Sequence, residues 1–216
     1  MTLYYVPMAH DEEILERLPK ALEHFKGKTE GKLAWKIYWG VWKWNTDYWK
    51  GVRKQLAPLE IRKIYSDSAV SGEVTGWRGW RVRARKKDVN YYSVIDELIA
   101  KGAKPMVTER NDYFYLKLEE RDKYRDKIIN KTLGGDTGVL FMGSRHRYPK
   151  VRGLDVLCRR RDFDHDYENN YGQILQQFMS DNNMDENELM EVHSNLCKHI
   201  KEIWNKDAEA VHGKRR

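Results

Sequence analysis

Two stretches of the chain deliver a histidine in the same way. Leu3-Tyr4-Tyr5-Val6-Pro7-Met8-Ala9-His10 and Val139-Leu140-Phe141-Met142-Gly143-Ser144-Arg145-His146 each run from a short apolar segment into small residues and one imidazole. By pattern each apolar segment is a β-strand. In an α/β sheet the carboxyl ends of parallel strands line one crevice, where ligands bind at the switch in strand order. Two imidazoles meeting there could bind metal, shuttle protons or grip an anion. Taken singly, each histidine could merely cap its strand.

Glu109 ends a third apolar segment, Pro105 to Thr108. A carboxylate beside two imidazoles is a sensible metal set, His10, Glu109 and His146 around a divalent ion, or an acid–base set. A long helix is predicted from about Asp112 to Leu133, with Phe114, Leu118 and Ile129 on its apolar side. Arg121, Asp122 and Arg125 fall near the centre of that side, where charges are costly unless paired or functional. Arg121, held by Asp122 or Glu109, could present a guanidinium to an anion; an internal ion pair is the alternative. Arg110, Arg125 and Arg145 are further candidates for holding an anionic substrate. Neither HxxxH nor HExxH is present, and GxSxG, the P-loop and GxGxxG are also missing.

The elements that must position these residues follow in the order β-α-α-β-α-β-α-β-β-α-α. Such alternation predicts an α/β sandwich with a mainly parallel sheet. The first helix spans Asp11 to Phe25, kinked or cut short by Pro19, and Leu33 to Leu56 forms one or two more. The strand at Ile61 to Tyr65 precedes a long basic loop, and a short helix around Tyr91 to Ile99 stops at Gly102. Gly134-Gly135 closes the long helix, and Asp155 to Cys158 is a fifth strand. An α/β domain over 1–158 is expected, with a helical extension over 159–216 packed on it. In that extension 159–166 reads as a hinge with a solvated acidic turn, Asp162 to Asp166. Helices follow at Tyr171 to Met179 and Asp185 to Lys206, the second with Asp185 as N-cap and Glu188 as capping partner. Its face of Leu189, Val192, Leu196, Ile200 and Ile203, shared by His193, suits a core or a homodimer contact through 185–204. The tail from Asp207 is expected to fray.

Trp35, Trp39, Trp42, Trp44 and Trp49, with Tyr38 and Tyr48, make the oddest local composition. They suit aromatic core packing or a stacking platform for bases or sugar rings. The segment 77–87 carries six basic side chains and two tryptophans in eleven positions. Trp77, Arg78, Trp80, Arg81, Arg83 and Arg85 would be its nucleic-acid contacts, unless the loop is simply solvated.

A formal net charge of +7 favours anionic partners, whether small molecules or nucleic acid. Mean hydropathy is −0.85 with 34% charged residues, which describes a water-soluble globular protein with no membrane partner. Two cysteines, Cys158 and Cys197, are too few for a disulfide framework, and a cytoplasmic location is expected.

Over roughly residues 3–158 the ordered motifs resemble those of the TraB/PrgY–Tiki–erythromycin-esterase-like (ChaN-like) superfamily. Tyr4 to His10 is similar to its first strand-then-histidine motif, with Pro7-Met8 where a glycine is usual. Thr108-Glu109-Arg110-Asn111-Asp112 and Arg121-Asp122-Lys123-Tyr124 are similar to its central acid and arginine motifs, the arginine being Arg110 or Arg121. Gly138 to His146 is similar to its late Gly-x-x-His motif. The resemblance implies an α/β fold in which the histidines, the acid and the arginine gather at one site. It also implies a metal-dependent hydrolase, an activity proposed for some members; others have no established activity or bind haem. A nucleic-acid-binding protein using 77–87 is the competing expectation.

Overall fold

The computed structural model describes residues 2–8, 12–66, 89–108, 116–143, 146–156 and 160–213, with the backbone alone at 12–16, 89–92, 160 and 207–213. Five strands, β1 (Thr2–Met8), β2 (Lys63–Ser66), β3 (Lys104–Met106), β4 (Thr137–Gly143) and β5 (Leu154–Val156), form one sheet in the order β3-β2-β4-β1-β5. Every pairing is parallel. The helices are α1 (Glu12–His24), α2 (Thr29–Leu56), α3 (Val89–Ala100), α4 (Leu118–Thr132), α5 (Arg160–Asp181) and α6 (Glu186–Gly213). The α/β class and the element order follow the sequence pattern.

By contact the chain forms two units, one of residues 1–9 with 46–164 and one of residues 10–45 with 165–216. The first holds the sheet. Its central strand β4 is buried from Gly138 to Gly143, as expected for a parallel strand covered on both faces. Period-two alternation sorts the side chains. Val6, Ile64, Val139 and Phe141 meet Trp49 and Leu56 of α2 and Ile95 of α3 on one face. Leu3, Tyr5, Tyr65, Leu140 and Met142 meet Ile129 of α4 and the adjoining Leu133 on the other.

Local stop signals act as the sequence indicates. Gly102 adopts φ +94° after α3, and the bonds Ala103 N–H to Leu98 O and Gly102 N–H to Ile99 O complete a Schellman ending. Gly134, at φ +58°, does the same service after α4. There Lys63 donates to the Thr132 carbonyl and pairs with Asp136 at 2.7 Å, a cation at the negative end of the helix.

The second unit packs Leu18, Ala21, Leu33, Ile37, Val41 and Phe178 around Leu196. Two expectations need correction here. The acidic stretch from 162 is helical, since α5 starts at Arg160; Phe163, Tyr167, Tyr171, Ile174 and Phe178 make one unbroken apolar stripe. The stretch 207–213 continues α6 rather than fraying. Of the two roles open to the apolar face of α6, the structure shows the core, with Leu196 buried and Leu189, Val192 and Ile200 packed beside it. Pro19 sits within α1 without ending it. The expected capping box does form, with Glu188 N–H on Asp185 Oδ1 at 2.9 Å and Asp185 N–H on Glu188 Oε2 at 3.0 Å.

His193 Nε2 and the Tyr171 hydroxyl share a 3.0 Å hydrogen bond. Burial lowers the His193 pKa, while burial and then the neighbouring Cys197 push Tyr171 up to about 12. The unfolded chain therefore protonates His193 first as pH falls through about 6.5, and stability drops on that side. Between about 10 and 12 the unfolded chain alone loses the Tyr171 proton, so stability also drops as pH rises. Urea midpoints measured against pH should fall less steeply on the acid side in His193→Gln and less steeply on the alkaline side in Tyr171→Phe.

Candidate functional site

The strands β1 and β4 are neighbours, and their last residues, Met8 and Gly143, lie in register. Chain connectivity diverges here. From β1 the chain runs through α1 before reaching α2, whose second half covers one face of the sheet. After β4, residues 146–150 are held against α4, which covers the other. Divergence of adjacent strand ends to opposite faces is what opens a crevice in an open α/β sheet. Residue 10 follows β1 by two positions and His146 follows β4 by three.

His146 is buried, and its Nδ1 stands 2.7 Å from Asp122 Oδ1. An ionised carboxylate only accepts, so Nδ1 carries the proton. Asp122 comes from α4, one turn before Asp126, with Asn130 a turn further on. These three side chains form a ladder that straps down the segment after β4. Asp122 Oδ2 accepts from the Arg147 backbone N–H at 3.3 Å. Asp126 Oδ2 accepts from the Lys150 N–H at 3.2 Å, and Asn130 Nδ2 donates to the Lys150 carbonyl at 3.1 Å.

Two arginines balance the two acids. Arg125 is buried. Its Nη1 donates to Asp122 Oδ1 at 2.6 Å and also to the Met142 sulfur. Its Nη2 donates to Asp126 Oδ1 at 2.8 Å and to the Arg147 carbonyl at 3.3 Å, and Nε to Asp126 at 3.3 Å. All five guanidinium donors thus end on protein groups. Arg125, expected to hold substrate, instead holds the ladder together. Arg147 closes the set through Asp126 Oδ2 at 2.7 Å. Paired and hydrogen-bonded on every side, these buried charges meet the condition under which burial is tolerated.

Of the residues expected from sequence, His146 therefore sits with Asp122, and Arg121 is half-buried on the same helix. Leu118, expected on the apolar side of that helix, is exposed at its first turn. His10, Glu109, Arg110, Arg145 and Phe114 lie outside the described residues, as does the whole of 77–87. Asp126 and Arg147 were not anticipated. The signal for Asp126 was the four-residue repeat Asp122, Asp126, Asn130; nothing local marks Arg147.

Among the described residues no group of three or more His, Cys, Asp or Glu is placed to hold a metal ion. His146 belongs to the proposed metal set, and a carboxylate on its Nδ1 is the outer-shell partner that orients metal-binding imidazoles and catalytic bases alike. No described helix is long and apolar enough to cross a membrane.

The tryptophans divide. Trp49 is buried in the sheet core, and Trp44 donates to Asp166 at 3.0 Å. Core packing does not account for Trp35, Trp39 and Trp42, which stay 54%, 44% and 45% exposed. The core of the second unit takes the opposite stripe of α2, with Leu33, Ile37 and Val41 at four-residue spacing.

Compared with known protein families, with curated proteins and with solved structures, the chain matches none.

Proposed function

We propose that the chain is a hydrolase-like enzyme acting on an anionic substrate at the carboxyl edge of its parallel sheet. In this reading His146 is the general base and Asp122 is the positioning residue that fixes its tautomer. The single observation that carries it is the buried 2.7 Å contact between His146 Nδ1 and Asp122 at the end of the central strand. A general base oriented in this way would take a proton from an attacking water at Nε2. At 5% exposure the ring suits a reactant as small as water better than direct contact with a macromolecule. The net charge of +7 favours an anion. His10, Glu109 and Arg121 are the residues the sequence adds to the same proposal. Alternatively, a divalent metal held by His10, Glu109 and His146 would occupy Nε2 in place of the proton and supply Lewis-acid activation; a reducing cytoplasm is the proposed setting.

The test is hydrolysis of chromogenic carboxylate esters, phosphate monoesters and phosphate diesters by the whole chain. His146→Ala should lower kcat about 10²- to 10⁴-fold with the fold retained by circular dichroism. Asp122→Asn should lower kcat more than it changes KM and displace the pH profile. Elemental analysis of the parent, His10→Ala, Glu109→Ala and His146→Ala reports the metal. A His146→Ala variant that turns over like the parent removes the reading.

A further inference from the structure

The second unit carries a groove of about 660 Å³ between α2 and α5, lined on one wall by Trp35, Trp39, Lys32, Lys36 and Lys43. At about 100° per residue, the three lysines fall within roughly 40° of one another along α2. Trp35, Trp39 and Trp42 fall within roughly 60°, directly alongside. Two parallel stripes result, one aromatic and one cationic. The rings pack edge to face, Trp35 to Trp39 and Trp39 to Trp42 each at 5.4 Å, with interplanar angles of 77° and 80°. Each ring is thereby propped by its neighbour while remaining about half exposed.

The opposite wall is built of amides, Asn170, Gln173 and Gln177. Asn170 Nδ2 has no hydrogen-bond partner among the described residues. The floor lies at Gly40, where a Cβ would stand 2.2 Å from Ile174 Cδ1, so the Ile174 side chain packs directly on the α2 backbone. Lys36 is paired with Asp181, which Gln177 also holds at 2.7 Å. Among the described residues no acid pairs with Lys32 or Lys43. The groove therefore carries a cationic surplus beside aromatic faces and amide edges.

We propose that this groove binds single-stranded nucleic acid, with bases stacked on Trp35 and Trp39, the strand continuing toward Trp42 beyond the lining, and phosphates along Lys32, Lys36 and Lys43. Stacking on aromatic rings beside a cationic track is how single strands are held without sequence preference. Charge complementarity selects this occupant. A neutral sugar has no use for three lysines, and a second copy of a chain with net charge +7 would be repelled by them. From Trp35 to Trp42 the helix rises about 10 Å, enough for a few stacked nucleotides.

The probe is a fluorescein-labelled oligothymidylate about twelve nucleotides long, followed by anisotropy and by quenching of tryptophan fluorescence. Trp39→Ala should weaken binding roughly 5- to 150-fold, and Trp39→Phe much less. The plot of log affinity against log salt should slope at about −2 and flatten by about 0.7 in Lys43→Gln. A duplex of equal length should bind more weakly. The proposal is overturned by equal affinity for the duplex or by full affinity in Trp39→Ala. It is also overturned if binding is lost only on replacing Arg78, Arg81 and Arg83. Binding to phosphatidylglycerol vesicles without oligonucleotide binding, or a dimer dissolved by Trp39→Ala in sedimentation, would assign the face to a membrane or a second copy instead.

Discussion

Asp122→Ala should destabilise the chain by about 3–5 kcal/mol, the cost of breaking a buried ion pair by removing one partner. The carboxylate serves Arg125 Nη1, His146 Nδ1 and the Arg147 backbone N–H together. Its loss leaves two buried or half-buried guanidinium groups facing Asp126 alone, and the His146 ring without its acceptor. Both the charge balance and the hydrogen-bond accounting fail at once, and an unsatisfied buried donor adds its own desolvation cost. The midpoint of urea unfolding checks this, with Lys150→Ala as a reference because Asp126 contacts only the backbone N–H of Lys150. A change within about 0.5 kcal/mol, the range of an ordinary surface substitution, would show that the ladder does not bear on stability.

Phe141→Ala should cost about 3–5 kcal/mol by a different route. Phe141 is fully buried in the central strand, paired in register with Val6 on one side and Ser66 on the other. Its ring reaches Trp49, with centroids 5.9 Å apart. Truncation removes the buried ring and leaves a cavity between rigid neighbours, because strands on both sides and α2 above prevent collapse. Met190→Ala, at a side chain 69% exposed, should stay within about 0.5 kcal/mol under the same measurement. Comparable midpoints for the two variants would contradict the packing argument.

Much of the fold was legible because its signals are local. Gly102 and Gly134 stop their helices for want of a Cβ penalty at positive φ, and Asp185 with Glu188 caps α6 within a single turn. The apolar run at Val139 to Met142 marks a strand buried on both faces. Where the local reading went astray, a longer period was the better guide. The acid-rich stretch from Asp162 looks like a turn until Phe163 is placed on the same stripe as Tyr167, Ile174 and Phe178. The tryptophans of α2 look like core until Leu33, Ile37 and Val41 claim the opposite face.

The candidate site divides along the same line. His146 was identifiable from its place after an apolar strand, and Asp122 from its position on a helix face that should be apolar. That Asp122 would meet His146, that Arg125 would be consumed by two acids, and that Arg147 would complete the balance were not. Arg125 meets its two acids within one turn of α4, but the His146–Asp122 and Arg147–Asp126 pairings join residues some twenty positions apart through the register of β4 against α4, and no local preference encodes that register.

By itself, then, the sequence determined the alternating α/β order, the helix stops and the apolar faces, all of them set by backbone preference and side-chain period over a turn or two. Tertiary structure alone decided which charged groups share a buried site and which tryptophans remain at the surface. Burial and pairing depend on what the opposing element presents, and that is known only once the elements have packed.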